Sequence, residues 1–431
     1  MIRHIFNSMR IPLTRAASTD IKEIIKSENG FPPLLKTALS RMAPNLSLKN
    51  DALIAVGHLT PTNTMFIRML IGILELDPKR IFFQPKCYSA DNDSYIKMKS
   101  LGVHVAESGF LFDPTKDYDS ILGPAARETF ELGVSRISQM QKKGAENGRL
   151  VLMDDGAYLT HPDVIKPILP KIPKNLVTIA TELTGNGIMK LNQYLAQPGT
   201  SLPIPVIDQA RAPIKKIEMD IIVKTILPIF HMKLRKFLSL SPETRPPKIL
   251  IHGGGLLGKK LRTKLFGVHE TKIYDEVPHK SDFSRSEFDI ALAWANIHII
   301  AHPMTGISKE QKEKLHHCMI FNTGSGNKVF RIPEILHDYY SDNIPFPSNC
   351  HEDVFTKNSV FIANGGYPGN FTDDPRDYNW IDHHLTRMIQ LIGIIQAKQF
   401  SLENGIVPLN HCLTREAITL WNEFHGIKYN D

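Results

Sequence analysis

The chain has 431 residues, 42% of them apolar and 22% charged, with 51 lysines and arginines against 44 aspartates and glutamates, a net +7. That length suggests two or three domains, and the composition excludes a disordered, collagen-like or low-complexity chain. The positive charge is spread out, its densest runs being Lys233–Lys236 and Lys259–Lys264, so no nucleic-acid partner is expected. No apolar stretch reaches the roughly 18 uncharged residues of a membrane span, so no membrane partner is expected either. Cys87, Cys318, Cys350 and Cys412 are far apart and form no C-x-x-C pair, which points to a reducing, cytoplasmic setting. Residues 1–20 read as a basic tail carrying Arg3, Arg10 and Arg15, a composition that also fits an organellar import segment.

From there helix and strand alternate. Asp51–Gly57 is a short apolar run ending in glycine and reads as a buried strand; Thr62–Leu76 has helical spacing. Arg80–Gln84 and Val103–Ala106 read as strands, with a helix over Ser94–Leu101 between them. Thr129–Lys143 is a helix, and Arg149–Met153 and Val177–Ala180 are strands. The alternation predicts a doubly wound parallel sheet, in which polar groups at the carboxyl ends of strands face the ligand crevice. His58, Asp155 and Glu182 fall at such ends.

A helix over Asp220–Leu238, with a kink at Pro228, ends in a loop containing Pro242, Pro246 and Pro247. A second alternating block runs from Lys248 to about Ile362. In it the strand Ile249–His252 leads into Gly253-Gly-Gly255-Leu-Leu-Gly258 and the helix Lys259–Leu265. In this context a G-x-G-x-x-G predicts dinucleotide binding: Gly253 for the tight turn, Gly255 for close approach of a pyrophosphate, and Gly258 for helix–strand packing. Asp275, at the end of the next strand, would accept from an adenosine ribose and so favours NAD. Asp289–Ala293 and Met319–Asn322 read as two further strands. Ile381–Asp431 reads as two helices broken at Pro408–Asn410. His316–Cys318 and Cys350–Asp353 lack metal-ligand spacing, so no metal is expected.

The expected architecture is α/β: two doubly wound parallel-sheet domains, the second a Rossmann NAD-binding domain, with a C-terminal helical tail. The expected divisions are residues 21–224 plus about 365–400, a substrate-binding domain; 225–364, the NAD domain; and 401–431, the tail.

Four segments in this order ahead of the glycine loop narrow the reading: Gly57–Thr60, Leu152–Gly156, Thr181–Gly187, and Pro205–Asp208 followed by Lys216–Asp220. Together they resemble S-adenosylhomocysteine hydrolases, over most of the chain from about Phe31. The resemblance implies a nucleoside-like substrate whose ribose 3′-hydroxyl is transiently oxidised by tightly bound NAD. It makes His58 an acid/base, places Asp155 beside the reacting carbon, puts Glu182 at the first of the family's two adjacent acid positions as a catalytic candidate, and has Lys216 take the hydroxyl proton with Asp220 holding it. Thr184 and Asn322 would contact NAD, and Lys428 and Tyr429 would reach the cofactor site of a neighbouring subunit, implying a homo-oligomer. Thr62, Leu183, Ser325 and Tyr367 depart from the family's pattern. Those departures motivate two alternatives: an NAD-dependent oxidoreductase on a different hydroxylated substrate, and a catalytically inactive NAD-binding regulator.

Overall fold

The computed structural model describes residues 32–140, 147–241, 246–302, 306–324, 327, 329–341, 344, 349–371 and 384–426. They build two parallel sheets flanked by helices. The first has seven strands: β1 (Ala52–Gly57), β2 (Ile81–Pro85), β3 (His104–Val105), β4 (Gly148–Asp154), β5 (Leu176–Glu182), β6 (Pro205–Asp208) and, from the far end of the chain, β13 (Gly405–Pro408). Their spatial order is β3-β2-β1-β4-β5-β6-β13. This is the 3-2-1-4-5-6 order of dinucleotide-binding sheets, with one strand added at the edge. The second sheet holds β7 (Lys248–His252), β8 (Glu270–Tyr274), β9 (Ile297–Ile300), β10 (Cys318–Asn322), β11 (Val354–Phe355) and β12 (Val360–Ile362). Its order is β8-β7-β9-β10-β12-β11, with β11 antiparallel at the edge. Counted from β7, the parallel part reads 2-1-3-4-5, a doubly wound sheet whose crevice opens between β7 and β9.

The interior strands are continuous apolar runs because parallel sheets are covered on both faces. β1 and β5 show this: every residue of β1 is buried, and in β5 only Val177 is exposed. The helices on the first sheet are α1 (Pro33–Met42), α2 (Pro61–Gly72), α3 (Asn92–Ser100), α4 (Tyr118–Met140) and α5 (Gly185–Leu195). Their starts follow capping chemistry. Asp91 accepts from Ser94 N (2.7 Å) ahead of α3, and Thr184 accepts from Gly187 N (3.0 Å) ahead of α5.

One helix serves both sheets. α6 (Lys215–Leu240) runs 26 residues with Pro228 inside it. Ile217 and Ile221, near its start, belong to the core of the first sheet. Ile226, Phe230, Leu234 and Phe237 belong to the core of the second. In the second sheet α7 (Leu256–Leu265) follows the glycine loop, and α8 (Phe288–Trp294) and α9 (Ile332–Tyr340) follow later strands. The chain then returns to the first sheet in α10 (His384–Gln399), whose Leu385, Met388, Ile392 and Ile395 are buried in that core, and α11 (His411–His425).

Two elements differ from the sequence expectation. Asp289–Ala293 lies in helix α8, and the strand is the next apolar run, Ile297–Ile300. Five apolar-rich residues cannot distinguish the two states by periodicity. Just before the break read at Pro408–Asn410 lies a strand that was not expected, β13, which pairs in parallel with β6 from Gly405 opposite Pro205 to Pro408 opposite Asp208. Proline is tolerated there because β13 is an edge strand. Among the described residues no helix is long and apolar enough to cross a membrane.

Candidate active site

Strand register assembles the site. Gly57 of β1 lies opposite Pro85 of β2, so the next residues, His58 and Lys86, emerge side by side. Ala55 lies opposite Met153 of β4, which brings Asp154 and Asp155 out on the other side of β1. β1 is the strand at which the order of the first sheet reverses, and ligand crevices open there.

Lys86 and Asp155 form an ion pair of 2.7 Å, 1% and 4% exposed. Burial alone would raise the Asp155 carboxyl, but Lys86, His58 and Lys215 outweigh it and hold it below the usual carboxylate range. Burial alone would likewise lower Lys86; the charge of Asp155 leads the groups that lift it above the ordinary lysine range instead. His58 stands between this pair and the opening. Its backbone carbonyl accepts from Asn63 Nδ2 (2.8 Å), which fixes the turn. Nδ1 contacts Ser89 Oγ at 2.7 Å, and Nε2 lies 3.4 Å from Asp155 Oδ2, longer than a hydrogen bond. The ring stacks on Phe371 (4.4 Å between centroids, 22° between planes). Phe371 and Tyr367 follow β12 in the chain and pack with Tyr88 and Tyr118 of the first sheet's core. The segment leaving the second sheet therefore roofs the crevice of the first. Asn327 adds a tie, accepting from Tyr118 N at 2.8 Å.

The neighbouring acids hold the turn. Asp154 accepts from the backbone N–H groups of Asp155, Tyr158, Leu159 and Thr160 and from the Thr160 hydroxyl. Glu182 is fully buried and accepts from Gly156 N, Ala157 N, Thr184 N and Thr184 Oγ1. Burial, then the charge of Asp154, pushes Glu182 up to about 8. The structure thus places Glu182 and Thr184 as the frame of the loop that presents Asp155.

The expected Lys216–Asp220 pair is corrected. Lys216 is exposed, and Asp220 is ion-paired to Lys260 of α7. Lys215, one residue earlier, is the lysine turned inward, paired with buried Glu218. This places the two sheets' sites close together. Lys215 and Asp220 are five residues apart, about 7.5 Å along α6. At one end the charge of Lys215 acts on Asp155, and at the other Asp220 pairs with Lys260 of the helix that starts at the glycine loop.

In that loop Gly253 has φ +113°, and a Cβ there would come within 2.5 Å of His302 Cβ. A Cβ on Gly258 would lie 1.8 Å from Gly253 O, so only glycine lets α7 pack this tightly on β7. A Cβ on Gly255 would meet nothing within 4 Å. Gly255 is the N-cap of α7 and, having no side chain, leaves the first N–H groups of the helix without a side-chain cap. Asp275 accepts from Gly254 N (2.7 Å) and Val277 N (2.8 Å), bracing the loop at the end of β8. Asn322 is fully buried; it donates to Gly366 O (2.8 Å) and accepts from Gly324 N (2.9 Å), tying β10 to the segment that carries Tyr367. Lys428 and Tyr429 lie outside the described residues.

The sequence reading missed Lys86, Ser89, Lys215 and Phe371. Lys86 carried the same signal as His58 and Asp155, a polar residue just past the carboxyl end of a strand. Among the described residues no cluster of histidine, cysteine and acidic side chains suits a metal ion.

No family model matches the chain. It is 23% identical over 348 residues to two uncharacterized proteins of Mycobacterium tuberculosis, from strains CDC 1551 and H37Rv, covering 80% of this chain and 63% of each of theirs. The chain thus spans less than two thirds of the length of these relatives. Solved structures that match include a 3-phosphoglycerate dehydrogenase of Entamoeba histolytica with bound NAD+ (13% identity, TM-score 0.40, 82% of this chain and 100% of that one). They also include a D-mandelate dehydrogenase of Rhodotorula graminis (12%, 0.34, 79% and 93%) and a D-isomer-specific 2-hydroxyacid dehydrogenase of Lactobacillus delbrueckii complexed with NAD (12%, 0.30, 88% and 99%). These matches are dehydrogenases, and they overturn the expected resemblance to S-adenosylhomocysteine hydrolases. The separation of Lys216 from Asp220 agrees with that correction, because it removes the proton-abstracting pair the resemblance required.

Proposed function

We propose that the chain is an NAD-dependent oxidoreductase acting on a hydroxylated substrate bound in the crevice of the first sheet. One observation carries the reading: α6 holds Lys215, paired with buried Glu218, near enough for its charge to act on Asp155, and five residues on it sets Asp220 against the helix that begins at the glycine loop. The loop fits a dinucleotide. Gly255 leaves room at an uncapped helix N-terminus, where backbone N–H groups and the helix dipole attract a pyrophosphate. Bound NAD would supply the hydride acceptor.

The chain's own residues would handle the proton. Ser89 Oγ is placed to donate to Lys86 O (3.3 Å) while accepting Nδ1–H of His58 (2.7 Å), the arrangement this reading uses. That tautomer leaves Nε2 as the base. A substrate hydroxyl that donates to Nε2 gives up its proton there, and the resulting imidazolium faces the Asp155 carboxylate. Lys86 keeps that carboxylate ionised. Phe371 and Tyr367 keep bulk water from the ring.

The test is the appearance of NADH when the protein is given NAD and a panel of hydroxy acids, polyols, sugar phosphates and nucleosides. No turnover across the panel, with NAD binding demonstrated, would sink the reading. Gly255→Val should weaken NAD binding about 10–100-fold, the loss of one hydrogen bond to a charged group, at a stability cost of about 1 kcal/mol or less. Gly258→Ala should instead cost about 1–3 kcal/mol of stability through overpacking. Titration calorimetry and thermal melts separate the two.

A further inference from the structure

α10 crosses the first sheet from its crevice edge to its far edge. Near its start the Ile389 carbonyl accepts from Gln209 Nε2 (2.7 Å), just beyond β6; near its end Lys398 reaches Asp51, just before β1 (2.8 Å). Arg387, in the first turn, is therefore at the crevice edge, and it is only 4% exposed. Its Nη1 donates to Gln390, while its Nε–H is buried and has no acceptor among the described residues.

The described carboxylates around it already have partners. Arg387 is close enough to Glu218 and Asp155 to feel both. Glu218 is already held by Lys215 and by Thr386 Oγ1 (2.6 Å), and Asp155 by Lys86. Asp208 faces Arg211, and Asp154 and Glu182 have their own backbone donors. Lys86 is thus committed to Asp155 and Lys215 to Glu218, and among the described residues no carboxylate lies within ion-pair distance of Arg387. A buried cation without its own partner is costly. A guanidinium with a free Nε edge is shaped for an oxyanion, and the positive end of α10 adds to its pull.

We propose that Arg387, supported by Lys215 and the N-terminus of α10, binds an anionic group of the substrate, a carboxylate or a phosphoryl group. The inference rests on the crevice being the substrate site, and it narrows the substrate to a hydroxylated organic anion.

The test reads anion binding without NAD, so its failure is distinguishable from failure of the oxidoreductase reading. Oxalate and inorganic phosphate are titrated into the full chain at constant ionic strength, by calorimetry and thermal shift. At least one should bind; oxalate alone indicates a carboxylate site, phosphate alone a phosphoryl site. Arg387→Gln should weaken that binding at least tenfold, and Arg387→Lys should fall between. Should Arg387→Gln fail to fold, Lys215→Met decides: it releases Glu218 to take Arg387, so binding should fall severalfold. Binding of neither anion, or equal affinity in Lys215→Met and the Arg387 variants that fold, would overturn the proposal.

Discussion

Replacing His58 by asparagine should lower turnover about 10²–10⁴-fold, the range for loss of a positioned acid/base, while NAD affinity stays within a factor of two or so. The ring's other contacts are local: Ser89 at Nδ1 and the stacked Phe371. Losing the stack costs about 1 kcal/mol of stability, too little to explain a collapse of rate. Ser89→Ala is the companion variant. It removes the acceptor that fixes the tautomer and leaves the ring in place, so it should lower kcat less than His58→Asn does. Steady-state kinetics on the best substrate of the panel check both. A rate in His58→Asn within tenfold of the wild type would remove His58 from the chemistry.

That the sequence exposed His58 and Asp155 at all follows from topology. In a doubly wound sheet the crevice gathers whatever polar residue follows each strand, and both residues could be located by counting apolar runs. Lys86 obeys the same rule but was passed over, because a lysine after a strand is ordinarily solvated; only the β1–β2 register reveals that it is buried. The choice between Lys215 and Lys216 is a matter of helical phase. Adjacent positions on a helix point about 100° apart, and which one faces inward depends on what α6 packs against. Arg387 is further out of reach, since its place at the crevice requires knowing that the chain returns to the first sheet after the second. The glycine loop was the most legible feature, because its constraints are local backbone geometry: a positive φ at Gly253 and no room for a Cβ at Gly258.

The Lys86–Asp155 pair makes the largest stability prediction. Lys86→Met should cost about 3–5 kcal/mol, because the substitution strands a carboxylate that is 4% exposed. The loss is not the value of the attraction itself. Converting both members to apolar residues, Lys86→Met with Asp155→Leu, should recover most of it. The pH dependence has a definite sign. In the wild type the folded-state pKa of Asp155 is depressed, so its contribution is present above the unfolded value of about 3.9 and lost as pH falls through the lower folded value. Lys86 is raised, so its contribution is present below about 10.4 and lost as pH rises through the folded value. In Lys86→Met the main opponent of burial is gone and the Asp155 pKa moves up. Its penalty then applies above that raised value and is relieved as the carboxyl takes a proton. The gap between wild type and variant should therefore be widest near neutral pH and narrow toward pH 4 or so. Urea midpoints across that range measure it. A variant within about 1 kcal/mol of the wild type at neutral pH would mean that Asp155 finds another cation, and Lys215, the remaining lysine whose charge reaches it, would be the residue to replace next.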